Sequence, residues 1–285
     1  MKTIIISDIK GKTGSIIPYG LNLAKNLESE VDILHIIDPR TQHGVQSAYS
    51  DSQTVVPGKK LSHEEIVERE KKFAEMELDK ILSKEASRLN YPLKINTIIE
   101  EDSLEKRLKE HVNSESHCLL LVNSVHDNFI FHSQDEILEV ISNLNTIPLM
   151  VPGGQEYKDL KEILMITDLT SRDITLVKDK VGFLNNFKPV INAVDIARPN
   201  NYEQKESKGK ALEALIKDRL TPFKTELNII TGTKYTETVL DYIDHKKPDM
   251  VMLLKNKQSL FARLLQKKRT EKLIKNITAP LLFVK

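Results

Sequence analysis

The chain has 285 residues, enough for two ordinary domains, and its 40% of hydrophobic residues can build real cores. The net charge is only +1, there is no tryptophan and the basic residues are not interleaved with aromatic ones, which argues against nucleic-acid binding. No apolar run approaches the roughly 18 residues that span a bilayer. The single cysteine, Cys118, excludes an internal disulfide framework, so we expect a cytoplasmic protein without membrane attachment.

The first half of the chain alternates strand-like and helix-like patterns. Strands are predicted in KTIIISD (2–8), at 31–38, 93–99 and 117–122, and in TIPLMVP (146–152). Helices are predicted at 15–27, with Pro18 and Gly20 placing the start late, and at 62–89, 103–113 and 135–144. Ser62 is expected to cap the second helix, with Glu65 completing a capping box.

The second half repeats this order. KEILMITD (161–168) matches KTIIISD, since each is an apolar run that ends in aspartate, and TAPLLFV (278–284) matches TIPLMVP. The predicted strands are 163–167, 188–195, 223–231, 250–254 and 280–284, and the predicted helices are 170–185, 203–220, 234–246 and 261–276. The chain is therefore an internal repeat of about half its length.

Strands joined by helices must run parallel, and apolar runs without alternation fit a sheet covered on both faces. We therefore predict an α/β protein with two doubly wound, five-stranded parallel-sheet domains of flavodoxin-like type. The domains are expected at 1–152 and 161–285, with GGQEYKDL (153–160) as the linker.

The order of elements resembles a tandem member of the universal stress protein family. TGTKYTETVLDYIDHKKPDMVML (231–253) is similar to that family's segment from strand three to strand four, and FARLLQKKRTEKLIKNITAPLLFV (261–284) to its final helix and strand. The resemblance covers nearly all of both halves. It implies a stress-response protein, and many members bind ATP through a G-x2-G-x9-G-[S/T] loop after strand four.

Both copies of that loop are degenerate in this chain. Counting back from Pro280 places Leu254, Lys257 and Lys267 at the three glycine positions, with Lys268 in the hydroxyl position. Counting back from Pro148 places Val122, Val125 and Asp135 at the three glycine positions, with Glu136 after them. Glycines let backbone N–H groups approach phosphates closely, and these side chains occupy that space. We therefore expect no ATP through these loops, with Lys255, Lys257, Lys267, Lys268 and Arg269 as a solvated basic face. The alternative is that the lysines retain an anion or nucleotide site.

Asp8 and Asp168 each follow the first strand of a half, at the edge where open α/β sheets bind ligands. The resemblance implies a contact with the nucleoside of ATP, whereas the simpler interpretation is an N-cap for the next turn or helix. The candidate cofactor-binding residues are thus Asp8, Asp168, Lys257, Lys267 and Lys268.

No catalytic or metal-binding motif stands out. Seven of the eight histidines lie in the first half, without metalloprotease spacing, and are interpreted as scattered surface residues: His35, His43, His63, His111, His117, His126 and His132. His126 and His132 flank the degenerate loop and could meet a ligand there. Cys118 lies in a buried type of strand, so core packing is expected rather than nucleophilic reactivity.

The terminal strands of the two halves are the expected association surfaces. The resemblance implies pairing through the last strand, so 147–152 and 280–284 are predicted to join the halves as a pseudo-dimer, and a homodimer is plausible. The long polar segment 38–61 is a candidate lid or partner-binding segment.

Three functions remain open from the sequence. The first is a non-enzymatic stress-response protein that acts by binding protein partners, without a cofactor. The second is a nucleotide (ATP or AMP) binder with weak or no hydrolysis. The third is a carrier of a small apolar ligand, with Leu254 and Val122 lining the former nucleotide pocket.

Overall fold

The computed structural model forms two compact units, Met1–Thr146 with Gly153–Glu156 and Ile147–Pro152 with Tyr157–Lys285. The residues that the structure describes are 1–11, 13–38, 62–89, 92–113, 118–124, 134–168, 170–220, 222–254 and 276–284. Among these residues, no helix is both long and apolar enough to cross a membrane.

The first unit is built on parallel strands in the order β3-β2-β1-β4. These strands are β1 (Lys2–Ile6), β2 (Glu30–Ile37), β3 (Ile95–Glu101) and β4 (Cys118–Asn123). The helices described in this unit are α1 (Ile17–Leu27), α2 (His63–Leu89), α3 (Leu104–Asn113) and α4 (Gln134–Asn143). β4 is buried along its whole length and β1 except at Lys2, as expected for central strands covered on both faces.

Two helix starts follow directly from local sequence. The predicted capping box of α2 is confirmed, because the Ser62 backbone N–H donates to Glu65 Oε2 (2.8 Å) and the Glu65 N–H donates to Ser62 Oγ (3.2 Å). α1 begins at Ile17 and includes Pro18 in its first turn, where a missing N–H costs no helical hydrogen bond.

The second unit contains strands in the order β5-β10-β9-β6-β7-β8. They are β5 (Ile147–Val151), β6 (Glu162–Ile166), β7 (Val190–Ala197), β8 (Lys224–Thr231), β9 (Met250–Leu254) and β10 (Leu281–Val284). Its described helices are α5 (Ser171–Lys180), α6 (Tyr202–Arg219) and α7 (Tyr235–Lys246), with short 3₁₀ turns at Gly182–Asn186 and Pro199–Asn201.

One strand departs from an all-parallel arrangement. β5 lies in the second unit and runs antiparallel to β10, with Met150 opposite Leu281 and Leu149 opposite Leu282. The chain then returns to the first unit at Gly153–Glu156. The predicted, mostly parallel α/β sheet therefore includes one antiparallel pair, in which two apolar terminal strands satisfy each other's open backbone groups.

Smaller differences concern element ends. The helix predicted at 170–185 ends at Lys180 and continues only as a 3₁₀ turn from Gly182, a residue that stabilises a helix interior poorly. The strand predicted at 188–195 lies instead at Val190–Ala197, because Lys188 adopts a φ of 49°, which is incompatible with a strand. The helix predicted at 261–276 lies outside the described residues except at its end.

Candidate functional site

The carboxyl edge of the first sheet is organised around the Asp8 carboxylate, which lies just after β1. Ser15 Oγ donates to Asp8 Oδ1 (2.7 Å), while the backbone N–H of Ile16 (3.0 Å) and Asn123 Nδ2 (2.7 Å) donate to Oδ2. Ser15 Oγ in turn accepts the N–H of Ile17, the first residue of α1 (3.1 Å). The carboxylate therefore holds the residue before α1 and the end of β4, but it is not the N-cap of α1, which is Ile16.

Asp8 is removed from solvent, with 2% of its surface exposed. Burial raises the pKa of this carboxyl group, and the hydrogen bonds from Ser15, Asn123 and Ile16 act in the opposite direction by stabilising the charged form. Because its own unit supplies three donors, the carboxylate is already satisfied without a ligand.

The turn between β1 and α1 is covered by the segment that follows β5. A Cβ on Gly14 would lie 2.7 Å from the Cα of Gly154, and a Cβ on Gly153 would lie 2.3 Å from Thr13 Oγ1. Only glycine permits this approach of two backbones. Asn123 Nδ2 also reaches Thr13 Oγ1 (3.4 Å), so the glycine pair predicted as a linker packs over the Asp8 network.

A second buried network lies beside it in the first unit. His35 Nδ1 and Ser7 Oγ are 3.1 Å apart, and Lys10 forms an ion pair with Glu70 of α2. Burial, and secondarily the positive charge of Lys10, lower the pKa of His35 to about 4. Burial lowers the pKa of Lys10 to about 8. His35 is thus neutral and buried, and its interpretation as a scattered surface histidine is wrong.

Asp168 occupies the equivalent place in the second unit but has a different role. Thr170 caps α5, since Thr170 Oγ1 accepts the N–H of Asp173 (3.1 Å) and Asp173 Oδ2 accepts the N–H of Thr170 (3.2 Å). Lys208 of α6 donates to the backbone carbonyl of Asp168 (3.2 Å). Asp168 is half-buried and is not the cap of α5.

The neighbours of Asp168 form a charged cluster, here called the Asp168–Asp195 cluster: Asp168, Asp195, Lys205, Lys208 and Tyr235. Lys205 Nζ donates to Asp195 Oδ1 and to the carbonyl of Ile196 (2.8 Å). Burial raises the pKa of Asp195, against the effect of Lys205. Burial raises the pKa of Tyr235 well above its usual range, and the Asp168 and Asp195 carboxylates add to this.

Strand register shows that His35 and Asp195 are equivalent. Ile6 of β1 pairs with Leu34, and Ile166 of β6 pairs with Val194, so the next residue in each unit is His35 or Asp195. The same point at the carboxyl edge therefore holds a neutral imidazole in one unit and a carboxylate paired with lysine in the other.

The remaining predicted site residues are only partly described. Lys257, Lys267 and Lys268 lie outside the described residues, as do Lys255, Arg269, Val125, His126, His132 and the segment 39–61. Val122 and Leu254 are buried within β4 and β9.

The other titratable residues of the first half give no further site. Cys118 is buried, and its Sγ lies 3.0 Å from Thr146 Oγ1, which confirms its core position. His63 Nε2 lies 2.6 Å from Glu101 Oε1, and His111 Nε2 lies 3.2 Å from Glu100 Oε2. In the part of the chain with described coordinates, no group of three histidine, cysteine or acidic side chains is placed to hold a metal ion.

Sequence reasoning missed five residues that define these networks: Ser15, Asn123, Asp195, Lys205 and Tyr235. Asn123 is 115 positions from Asp8, so no local pattern connects the two. A signal did exist for Asp195, because aligning the two repeats through their first strands places it against His35.

The sequence finds no match among models of known protein families, and none among curated proteins. Solved structures, however, match the whole chain. A universal stress protein from Archaeoglobus fulgidus DSM 4304 superposes with a TM-score of 0.64 at 9% identity, covering 99% of this chain and 96% of that one. A putative universal stress protein from Pseudomonas aeruginosa UCBPP-PA14 gives a TM-score of 0.60 at 12% identity, covering 100% of this chain and 93% of that one.

A third whole-chain match is a functionally unknown protein from Pseudomonas aeruginosa PAO1, with a TM-score of 0.60 and 12% identity, covering 100% of this chain and 92% of that one. At such low identities the likeness concerns the fold. The α/β architecture with mostly parallel strands, predicted from the sequence, is thereby confirmed, and the chain has the fold of the universal stress proteins.

Proposed function

We propose that the chain is a tandem protein of the universal stress family that acts in the cytoplasm by binding protein partners. It is not an enzyme and does not hold ATP through glycine loops. The whole-chain fold match supports the family assignment, and the segments 231–253 and 261–284, which resemble those of the family, support it from the sequence.

The observation that carries this proposal is the closed Asp8 network of the first unit. A carboxylate that recognised a nucleoside would have to present an acceptor to the ligand's hydroxyl or amino groups. Asp8 is 2% exposed and accepts from Ser15, Ile16 and Asn123 of its own unit. A ligand would have to displace these donors, at the cost of leaving buried polar groups unpaired.

The fit to ATP is also poor where the phosphates would lie. In the first unit the buried Val122 stands at a predicted glycine position, and the sequence has two acids, Asp135 and Glu136, at the last predicted positions of the loop. Bulky side chains prevent close backbone approach, and acids repel phosphate. The described residues of this unit therefore do not suit ATP.

Thermal shift measurements with ATP, AMP and inorganic tripolyphosphate test the proposal. We expect no saturable rise in melting temperature with ATP or AMP, because a ligand stabilises the folded state only if it binds it. Tripolyphosphate carries the charge without the nucleoside, so it reports anion binding to the basic residues around Lys257 and Lys267 separately. Saturable stabilisation by ATP and AMP, but not by tripolyphosphate, would contradict the proposal.

The second candidate function is nucleotide binding confined to the second unit. The half-buried Asp168 supports it, because this residue lies close to Tyr235 and beside the lysines of α6 rather than in a closed hydrogen-bond network. Under this alternative, ATP stabilises the chain, Asp168→Ala abolishes the effect and Lys257→Glu weakens it. Asp8→Asn is the matched variant in the other unit and should leave the effect intact.

An apolar carrier is not favoured by the described cavities of the second unit. The apolar cavity beneath α7 has essentially no room for a water molecule and is lined by Leu164, Ile166, Val194, Ile196, Ile230, Val239 and Tyr242. Ligand pockets usually measure about 300 to 1,000 Å³, so this space is a packing void.

A further inference from the structure

The β8 strand forms an end of its sheet and has an open backbone edge. Among the described strands β8 pairs only with β7, in parallel register from Lys224 opposite Val190 to Thr231 opposite Ala197. An open edge presents unpaired N–H and C=O groups that can pair with another chain. The strand sequence, KTELNIIT, contains no proline that would prevent such pairing.

The phase of the ladder identifies which backbone groups point outward. The N–H of Gly232 donates to the carbonyl of Ala197 (2.9 Å), so Gly232 faces β7. In a parallel ladder, alternate residues direct both their N–H and C=O to the same side. Glu226, like Gly232, therefore faces β7, whereas Thr225 and Leu227 direct both groups to the open side.

The side chains near the start of β8 form a shallow groove of about 510 Å³, lined by residues 223–227 together with Glu213 and Lys217 of α6. Phe223, Thr225 and Leu227 are half-buried and Lys224 and Glu226 are exposed. Side chains alternate across a strand, so one face is apolar and the other charged. The buried Thr225 Oγ1 has no hydrogen-bond partner within the described part of the chain.

These residues are complementary to themselves about Thr225. If a second β8 aligned antiparallel with Thr225 opposite Thr225, Phe223 of each copy would face Leu227 of the other. Lys224 of each copy would then face Glu226 of the other. Such apolar and opposite-charge cross-strand pairs are stabilising, and the two threonine hydroxyls would meet at the two-fold axis.

Neighbouring registers lack this match. Centring the two-fold axis on Glu226 or Lys224 would set like charges directly opposite each other, which destabilises a strand pair. Centring it on Leu227 would place Lys224 against Ile230. The outward backbone groups of Thr225, the apolar pairs on one face of the strand and the charged pairs on the other face therefore all favour the register about Thr225.

The corresponding edge of the first unit is not self-complementary in the equivalent register. Strand register makes Lys94 equivalent to Lys224 and Ile95 equivalent to Thr225, but Asn96 stands where β8 has Glu226. Asn96 Nδ2 is also engaged by Asp32 Oδ1 (2.8 Å). In the register about Ile95 that is equivalent to the one about Thr225, β3 therefore offers Lys94 no opposite charge, and it serves as an internal control for that register.

We propose that β8 is a self-association edge at which a second copy of this chain pairs antiparallel about Thr225. Within one copy Lys224 Nζ lies 3.3 Å from Glu226 Oε1, and both side chains are more than half exposed. This ion pair is solvent-screened and can exchange for the intermolecular pairs at little cost. Because one short strand buries little area, the association is weak and depends on concentration.

Charge exchange tests the register. Analytical ultracentrifugation should show a concentration-dependent dimer, and Lys224→Glu or Glu226→Lys alone should raise its dissociation constant roughly tenfold or more. The double variant Lys224→Glu/Glu226→Lys restores opposite charges across the axis and should recover most of the affinity. Lys94→Glu on β3 should have no effect.

Crosslinking tests the axis directly. A Thr225→Cys variant places two thiols opposite each other, at a spacing of about 5.5 Å between Cα atoms that a disulfide accommodates. Mild oxidation of the full chain should give a disulfide-linked dimer, while Ile95→Cys at the matched position of β3 should not. The native Cys118 is buried and does not interfere.

A chain that stays monomeric at all concentrations would overturn the proposal. So would a dimer that is indifferent to both single charge reversals, or one in which Ile95→Cys crosslinks as readily as Thr225→Cys. If the single reversals weaken dimerisation and the double variant does not recover, the antiparallel register about Thr225 is wrong.

Discussion

The two units place different chemistry at equivalent points of the same fold. In the first, the aspartate after β1 is enclosed by Ser15, Ile16 and Asn123. A neutral His35 lies near the carboxyl end of β2. In the second, Asp168 is left out of the helix cap, and the place of His35 is taken by Asp195. One carboxyl edge thus holds a closed hydrogen-bond network, whereas the other holds a cluster of charged groups.

The largest expected effect comes from deleting the enclosed carboxylate. Asp8→Ala leaves the donors of Ser15, Ile16 and Asn123 without their acceptor, and we expect a loss of about 4 kcal/mol in the free energy of unfolding. Urea unfolding followed by circular dichroism measures it, with hydrogen exchange assigning the loss to the first unit. The matched Asp168→Ala should change stability by less than about 1 kcal/mol. Equal losses in the two variants would remove the contrast between the units.

Acid should act on the first unit through His35. Its pKa is lowered from 6.5 to about 4 in the folded chain, so the unfolded chain binds the proton more readily. The contribution of neutral His35 is fully present above pH 6.5 and is lost as the pH falls towards 4, by about 3 kcal/mol in total.

A His35→Gln variant isolates this contribution when its unfolding free energy is compared with that of the parent chain across the same pH range. The difference in unfolding free energy between the parent chain and the His35→Gln variant should shrink by about 3 kcal/mol as the pH falls from 6.5 to 4. Asp195 should behave in the opposite sense, because its raised pKa favours the folded state at low pH. A parallel pH dependence of both chains would show that His35 is not the titrating group.

A smaller effect is expected from the lysine that compensates Asp195. Lys205→Met leaves a buried carboxylate without its ion-pair partner, and we expect a loss of about 2 kcal/mol, reduced by the partial exposure of Lys205. The double variant Asp195→Asn/Lys205→Met removes both charges and should recover most of that loss. If the double variant is no more stable than the single one, the pair is not what stabilises this edge.

Local patterns predicted the elements well where the physical cause is local. The capping box of Ser62 and Glu65 and the bounds of β9 agree with the structure because capping and apolar runs of strand length depend on neighbouring residues. The split of the helix after Lys180 was missed, although Gly182 was visible in the sequence. From the sequence, Asp8 and Asp168 were given the same role because each follows the apolar first strand of its half. In the structure their hydrogen-bond partners differ.

The sequence by itself determined the alternation of strands and helices and with it the α/β fold class, since these depend on residue order. Only the tertiary structure decided which aspartate is enclosed, that β5 pairs antiparallel with β10, and that β8 is left at an open edge. Hydrogen bonds and strand pairs of this kind join residues far apart in the chain, and their partners are selected by packing rather than by sequence distance.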